Sequence, residues 1–192
     1  QIQHEKQLLA SQYIIYPPYD ALSVKINNLF RRIQNITHLP NVQIYEDING
    51  SPNAFIFPDG QIYISRWLID ICDYEEEILA ILAHEIRHHK EEHFVEKTRK
   101  VESKKDESLF EQIKNISGLD LLQEWRADIG WLIDLDDSGI NPYWAAIFFK
   151  KLSELQKKSL NHDFSFSHGS SNDRFLNTLS SARLYDFEHI SE

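Results

Sequence analysis

The sequence predicts an α+β fold, mainly helical with a small three-stranded sheet. Three observations carry this prediction. Apolar residues recur at helical spacing in five separate stretches. Three short β-like runs lie close together, at 42–45, 54–57 and 61–65. The last two flank Pro58-Asp59-Gly60, a strong hairpin-turn signal.

The first helix follows Pro17-Pro18, with Asp20 as its N-cap and Leu22, Ile26, Leu29, Phe30 and Ile33 on one face. The three strands come next. Asp73 and Glu76 match a capping box, and Glu75, Glu76 and Glu77 put negative charge at a helix start, where the backbone dipole favours it. That helix is expected to run to about Val95, and the polar stretch 96–108 to be a frayed end or loop. A second strong helix covers about 120–136 and closes at Ser138-Gly139. Asn141-Pro142 reads as an N-cap followed by proline at the first helical position, opening a helix through about Lys157. A polar loop at 161–171 precedes a last helix near Asn172. Trp125, Trp131, Trp144, Phe148 and Phe149 are expected in the core, as aromatics at helical spacing usually are.

A chain of 192 residues suits one domain spanning 1–192, with its core at about 20–185. Hydrophobic residues at 42% and charged residues at 26% are the profile of a soluble globular protein. The net charge of −10 argues against a nucleic-acid or anionic-membrane partner, which would be bound by neutralising phosphates. No apolar run approaches the roughly 20 residues that span a bilayer. Cys72 is the single cysteine, which excludes an internal disulfide and a cysteine-based zinc site. A start at Gln1 and the absence of methionine suggest a processed N-terminus or a trimmed chain, compatible with removal of a signal peptide or anchor.

The chemistry is concentrated in His84-Glu85-Ile86-Arg87-His88. Histidines at i and i+4 stand one above the other on a helix face, close enough to share one metal ion. Neutral imidazole suits zinc, and Glu85 flanks the site as general base for the water that zinc would activate. Arg87 and His89 make this helix basic but face away from the metal. A catalytic zinc needs a third protein ligand, and Glu124 is the best candidate. Asp128, one turn on, would accept the outer N–H of a ligating imidazole. His4, His38, His162 and His189 lack ligand spacing and read as surface residues, while His93 reads first as a packing or hydrogen-bonding residue.

Four blocks then carry a family resemblance: Asn53-Ala54-Phe55 with Pro58, Gly60 and Ile62 to Leu68; Glu77 through His93; Glu124 to Pro142; and Phe166 to Arg174. In order and spacing they resemble the gluzincin metallopeptidases that include the heat-shock protease HtpX, the CAAX prenyl endopeptidase and the mitochondrial Oma protease. The resemblance implies a zincin-like fold, one catalytic zinc ion on His84, His88 and Glu124, and hydrolysis of peptide bonds in protein or peptide substrates. It implies that the edge strand bearing Asn53, Ala54 and Phe55 lines the groove and docks an extended peptide by strand addition. It also places His168 near the metal, polarising the tetrahedral intermediate or plugging the open position. Arg174 would pair with a carboxylate or the oxyanion. Gly169 stands where the family has proline, and the membrane helices of some members are missing.

Three readings follow: an active endopeptidase, a zinc-bound enzyme held latent by His168, and a non-catalytic, chaperone-like binding module. The retained Glu85 favours an enzyme, since a structural zinc site needs no base. Family habit and the missing initiator methionine place the protein in the bacterial periplasm or cell envelope.

Overall fold

The computed structural model describes residues 2–33, 38–47, 52–92, 121–158 and 171–189. In chain order these form α1 (Ile2–Gln12), β1 (Ile14–Ile15), α2 (Ala21–Ile33), β2 (Gln43–Glu46), β3 (Ala54–Ile56), β4 (Ile62–Ser65), α3 (Arg66–Asp70), α4 (Glu75–Lys90), α5 (Leu121–Asp137), α6 (Tyr143–Lys158) and α7 (Ser171–His189). The fold is α+β and mostly helical, as the residue pattern predicts.

Among the described residues the sheet has four strands rather than three, in the order β1-β2-β4-β3. The strand absent from the sequence reading, β1, is only two residues long and pairs antiparallel with β2, Ile14 opposite Glu46 and Ile15 opposite Tyr45. So short a run has no alternation to read, and its partner defines it. β3 and β4 form the expected antiparallel hairpin, Phe55 opposite Tyr63. Its turn places Gly60 at φ 82°, and a Cβ there would come within 2.6 Å of Leu39 Cδ2, so glycine is needed twice over. β2 joins β4 in parallel, Ile44 beside Ile64.

Side-chain alternation splits the strands between two cores. Ile44, Ala54, Ile56, Ile62 and Ile64 face a large cluster with residues of α2, α4, α5 and α6. Tyr45, Phe55, Phe57 and Tyr63 face the other way and pack with Leu9, Tyr13 and Ile15. Leu9 is fully buried, so packed structure begins earlier than the expected residue 20.

Local capping follows the sequence closely. Asp20 Oδ1 accepts from Leu22 N at 2.9 Å and Ser23 N at 3.4 Å, capping α2. Within α2, the buried Asn27 donates to Val42 O at 3.0 Å and accepts from Val42 N at 2.7 Å, which ties the helix to the start of β2. Ser65 caps α3 by accepting from Leu68 N at 3.2 Å. At the start of α4 the reaching carboxylate is Glu77, not the expected Glu76; its Oε2 accepts from Tyr74 N at 3.1 Å and Asp73 N at 2.6 Å. Glu77 is wholly buried and pairs with Lys151 of α6 at 2.7 Å. Asn141 Oδ1 accepts from Tyr143 N at 3.0 Å, the expected cap of α6.

α4 is buried along nearly its whole length, from Glu77 to Ile86. It touches β3 on one side and α5 and α6 on the other. α5 and α6 also carry α7. This packing leaves the C-terminal half of α4 facing α5 and α7. Trp131, Phe148 and Phe149 lie in the core as expected, whereas Trp125 is 46% exposed. It directly follows Glu124, and a helix turns successive residues about 100° apart, so it leaves the face that Glu124 buries.

Candidate active site

α4 brings His84 and His88 onto one face, a single turn apart, and both are buried. Their Nε2 atoms are 2.8 Å apart, and the rings stand at 87° to each other. α5 supplies Glu124, whose Oε2 lies 3.5 Å from His84 Nε2 and whose Oε1 lies 3.6 Å from His88 Nε2. Donor atoms of the three residues all fall within 4.8 Å of one another. Zn–N bonds of about 2.0–2.1 Å in a tetrahedron put ligand atoms about 3.3 Å apart, so the spacing suits a zinc ion.

A second layer comes from α5 and α7. Asp128 Oδ1 lies 3.2 Å from His84 Nδ1, the outer nitrogen, which leaves Nε2 directed at the cluster. Arg174 grips the same carboxylate with two contacts, Nη2 to Oδ1 at 2.6 Å and Nε to Oδ2 at 3.0 Å. Its guanidinium sits 4.1 Å over the Phe149 ring, and Nη2 is 3.1 Å from His84 Nε2. Arg174 is therefore paired with a carboxylate, one of the two roles expected of it. Glu85, Glu124, Asp128 and Arg174 are all buried. Three acidic side chains thus gather around one buried arginine, an arrangement that suits a bound cation.

The same electrostatics act on the histidine. Burial and the Arg174 cation lower the His84 pKa, but hydrogen bonds to Asp128 and Glu124 outweigh them, and the imidazole is pushed up to about 9. Burial likewise opposes ionisation of Asp128, yet Arg174 and His84 hold its pKa below the ordinary value. The site thus favours positive charge beside its carboxylates.

Residues 22–114 match peptidase family M48. That segment includes His84, Glu85 and His88 and ends before Glu124. Among known relatives, the mitochondrial metalloendopeptidase OMA1 of Saccharomyces cerevisiae is 30% identical over 103 residues, covering 47% of this chain and 30% of that protein. The protein of the same name from Schizosaccharomyces pombe is 25% identical over 83 residues, 42% of this chain and 25% of its own length. The chain thus spans less than a third of the length of these curated relatives. Both are mitochondrial by name, which lends no support to the bacterial cell-envelope expectation. Among the described residues, no helix is long and apolar enough to cross a membrane.

Structure and expectation meet unevenly at the remaining positions. His84, Glu85, His88, Glu124, Asp128 and Arg174 come together. His168 and His93 lie outside the described residues. Ala54 packs in the large core with residues of α4, but Phe55 stacks on Tyr63 in the opposite cluster, centroids 5.4 Å apart. The Asn53 side chain hydrogen-bonds the buried Tyr45 hydroxyl, whose pKa burial raises. The side chains of Asn53 and Phe55 therefore serve the cluster on the far face of the sheet.

Two neighbours escaped the sequence reading. Trp131 packs edge-on against His84 at 5.0 Å between ring centroids, and Phe149 underlies Arg174. Trp131 follows Asp128 by three residues, which was a readable sign of a shared face; Phe149, on another helix, gave none. His4 and His38 are exposed, as expected.

Proposed function

We propose that this chain is a zinc-dependent endopeptidase that hydrolyses peptide bonds in protein substrates. The observation that carries the reading is the convergence of His84, His88 and Glu124 within 4.8 Å, with Glu85 buried beside them. The M48 match over residues 22–114 supports it independently.

His84, His88 and Glu124 would hold one zinc ion, which when bound supplies Lewis-acid polarisation of water and of the scissile carbonyl. Glu85 takes the proton of the attacking water and delivers it to the leaving amide nitrogen. Asp128 fixes the tautomer and orientation of His84, and Arg174 holds Asp128 ionised and in place. His168 would donate to the developing oxyanion. Burial of the acidic groups keeps competing water away and strengthens each interaction. An extended peptide would dock beside β3, the last strand in the sheet order, through its backbone, since Phe55 points to the other face.

Metal analysis of the purified protein, coupled to casein digestion, tests this reading. About one zinc per chain is expected, with digestion lost on adding 1,10-phenanthroline and restored by zinc. A protein that holds zinc firmly and cleaves nothing would instead be a binding module.

A further inference from the structure

The proposed ligands sit on two different helices, and a polar clasp joins those helices within a turn of His88 on α4 and about two to three turns past Glu124 on α5. Arg87 of α4 reaches across α5, where Nη2 donates to Gly130 O at 2.7 Å and lies 3.0 Å from Asp134 Oδ1. Lys90, also on α4, donates to the same oxygen at 2.9 Å. Asp134 is 4% exposed, so one buried carboxylate collects two cations from the partner helix. The crossing depends on a missing side chain. A Cβ at Gly130 would fall 2.3 Å from Arg87 Nε and 2.7 Å from its Cδ and Cζ. Contacts advance together along the two helices, from His84 with Asp128, to Arg87 with Gly130, to Lys90 with Asp134.

We infer that Asp134, with Arg87 laid over Gly130, is a positioning residue that sets the spacing of α4 and α5 and thereby the fit of His84, His88 and Glu124 around their ion. The inference rests on the metal reading above. A buried ion pair adds little net stability over a well-packed apolar pair, and its established use is to fix one register among several. Helix spacing matters more at this place than elsewhere, because ligand atoms tolerate displacements of only a few tenths of an ångström. Arg87 thereby has a role that its orientation away from the metal leaves open.

A double-mutant cycle tests the clasp. Zinc dissociation constants by chelator competition, the visible spectrum of the cobalt(II) form and the melting temperature of metal-free protein are measured for wild type, Gly130→Ala, Arg87→Met, the pair, and Asp134→Asn. Gly130→Ala and Asp134→Asn are expected to weaken zinc binding about tenfold, in the range typical of groups that orient ligands, and to alter the cobalt bands. The effect of Gly130→Ala should shrink in the Arg87→Met background, where the anchored guanidinium is gone and the flexible thioether that stands in for Cδ and Nε can turn aside. Variants that lower the melting temperature while leaving the zinc constant and cobalt spectrum unchanged would reduce the clasp to an ordinary structural contact. Should Asp134→Asn not fold, the Gly130→Ala and Arg87→Met pair decides alone, because that cycle leaves Asp134 in place. Wild type without measurable zinc affinity would overturn the metal reading itself, a result distinct from either.

Discussion

Glu85→Gln should leave zinc bound at about one ion per chain and reduce peptide cleavage by about a thousandfold, within the range of general-base contributions. The reasoning is steric as much as chemical. Glu85 is buried on the helix that bears His84 and His88, and glutamine has nearly the same volume, so packing around α4 survives. What the amide lacks is the capacity to accept a proton and return it. Steady-state turnover of a fluorogenic peptide, with metal content measured on the same preparations, makes the comparison. Equal turnover in wild type and variant would remove Glu85 from the mechanism. Loss of zinc in the variant would make Glu85 part of the binding site instead.

Asp128→Ala should have the largest effect on the fold of any change at this site. Arg174 is 5% exposed and directs two nitrogens at this carboxylate. Deleting the acid removes both short contacts of a buried guanidinium and leaves it the more distant Glu124 Oε2 at 3.7 Å, and breaking such a buried pair costs about 3–5 kcal/mol. Urea unfolding of the metal-free protein isolates that loss. Zinc titration of the folded variant isolates a second one, because His84 also loses the acceptor that fixes its outer nitrogen; about 10–100-fold weaker binding is expected. Metal-free stability within about 1 kcal/mol of wild type would show that Glu124 takes over the ion pair and that Asp128 does not anchor Arg174.

The parts of this architecture that were legible in the sequence are those specified by local chemistry. Asp20 and Asn141 cap their helices because a short polar side chain before an apolar period has few other uses. Glu124 and Asp128 were readable as a pair because helical spacing stacks residues four apart, and the structure puts both against His84. The parts that were not legible depend on partners distant in the chain. β1 exists through two residues opposite Tyr45 and Glu46, and α1 precedes it with a single buried apolar residue, Leu9. Nothing in the period of Ile2–Gln12 announces either contact. The capping carboxylate was misassigned by one residue within three consecutive glutamates, because Lys151 of α6 selects Glu77 from among them. The direction of the Phe55 side chain was not legible either, and only strand register shows that it faces Tyr63 and Phe57.

Division of the ligand set between α4 and α5 has a thermodynamic consequence. An unfolded chain still offers His84 and His88 as neighbours in sequence, but Glu124 joins them only when both helices are docked. Zinc would then bind the native state far better than the denatured one, and mass action would couple fold to metal supply. At a free concentration about a hundred times the dissociation constant, the native state would gain about 2.7 kcal/mol. The melting temperature should therefore rise with the logarithm of free zinc, so that the abundance of folded protein itself reports the metal status of its surroundings.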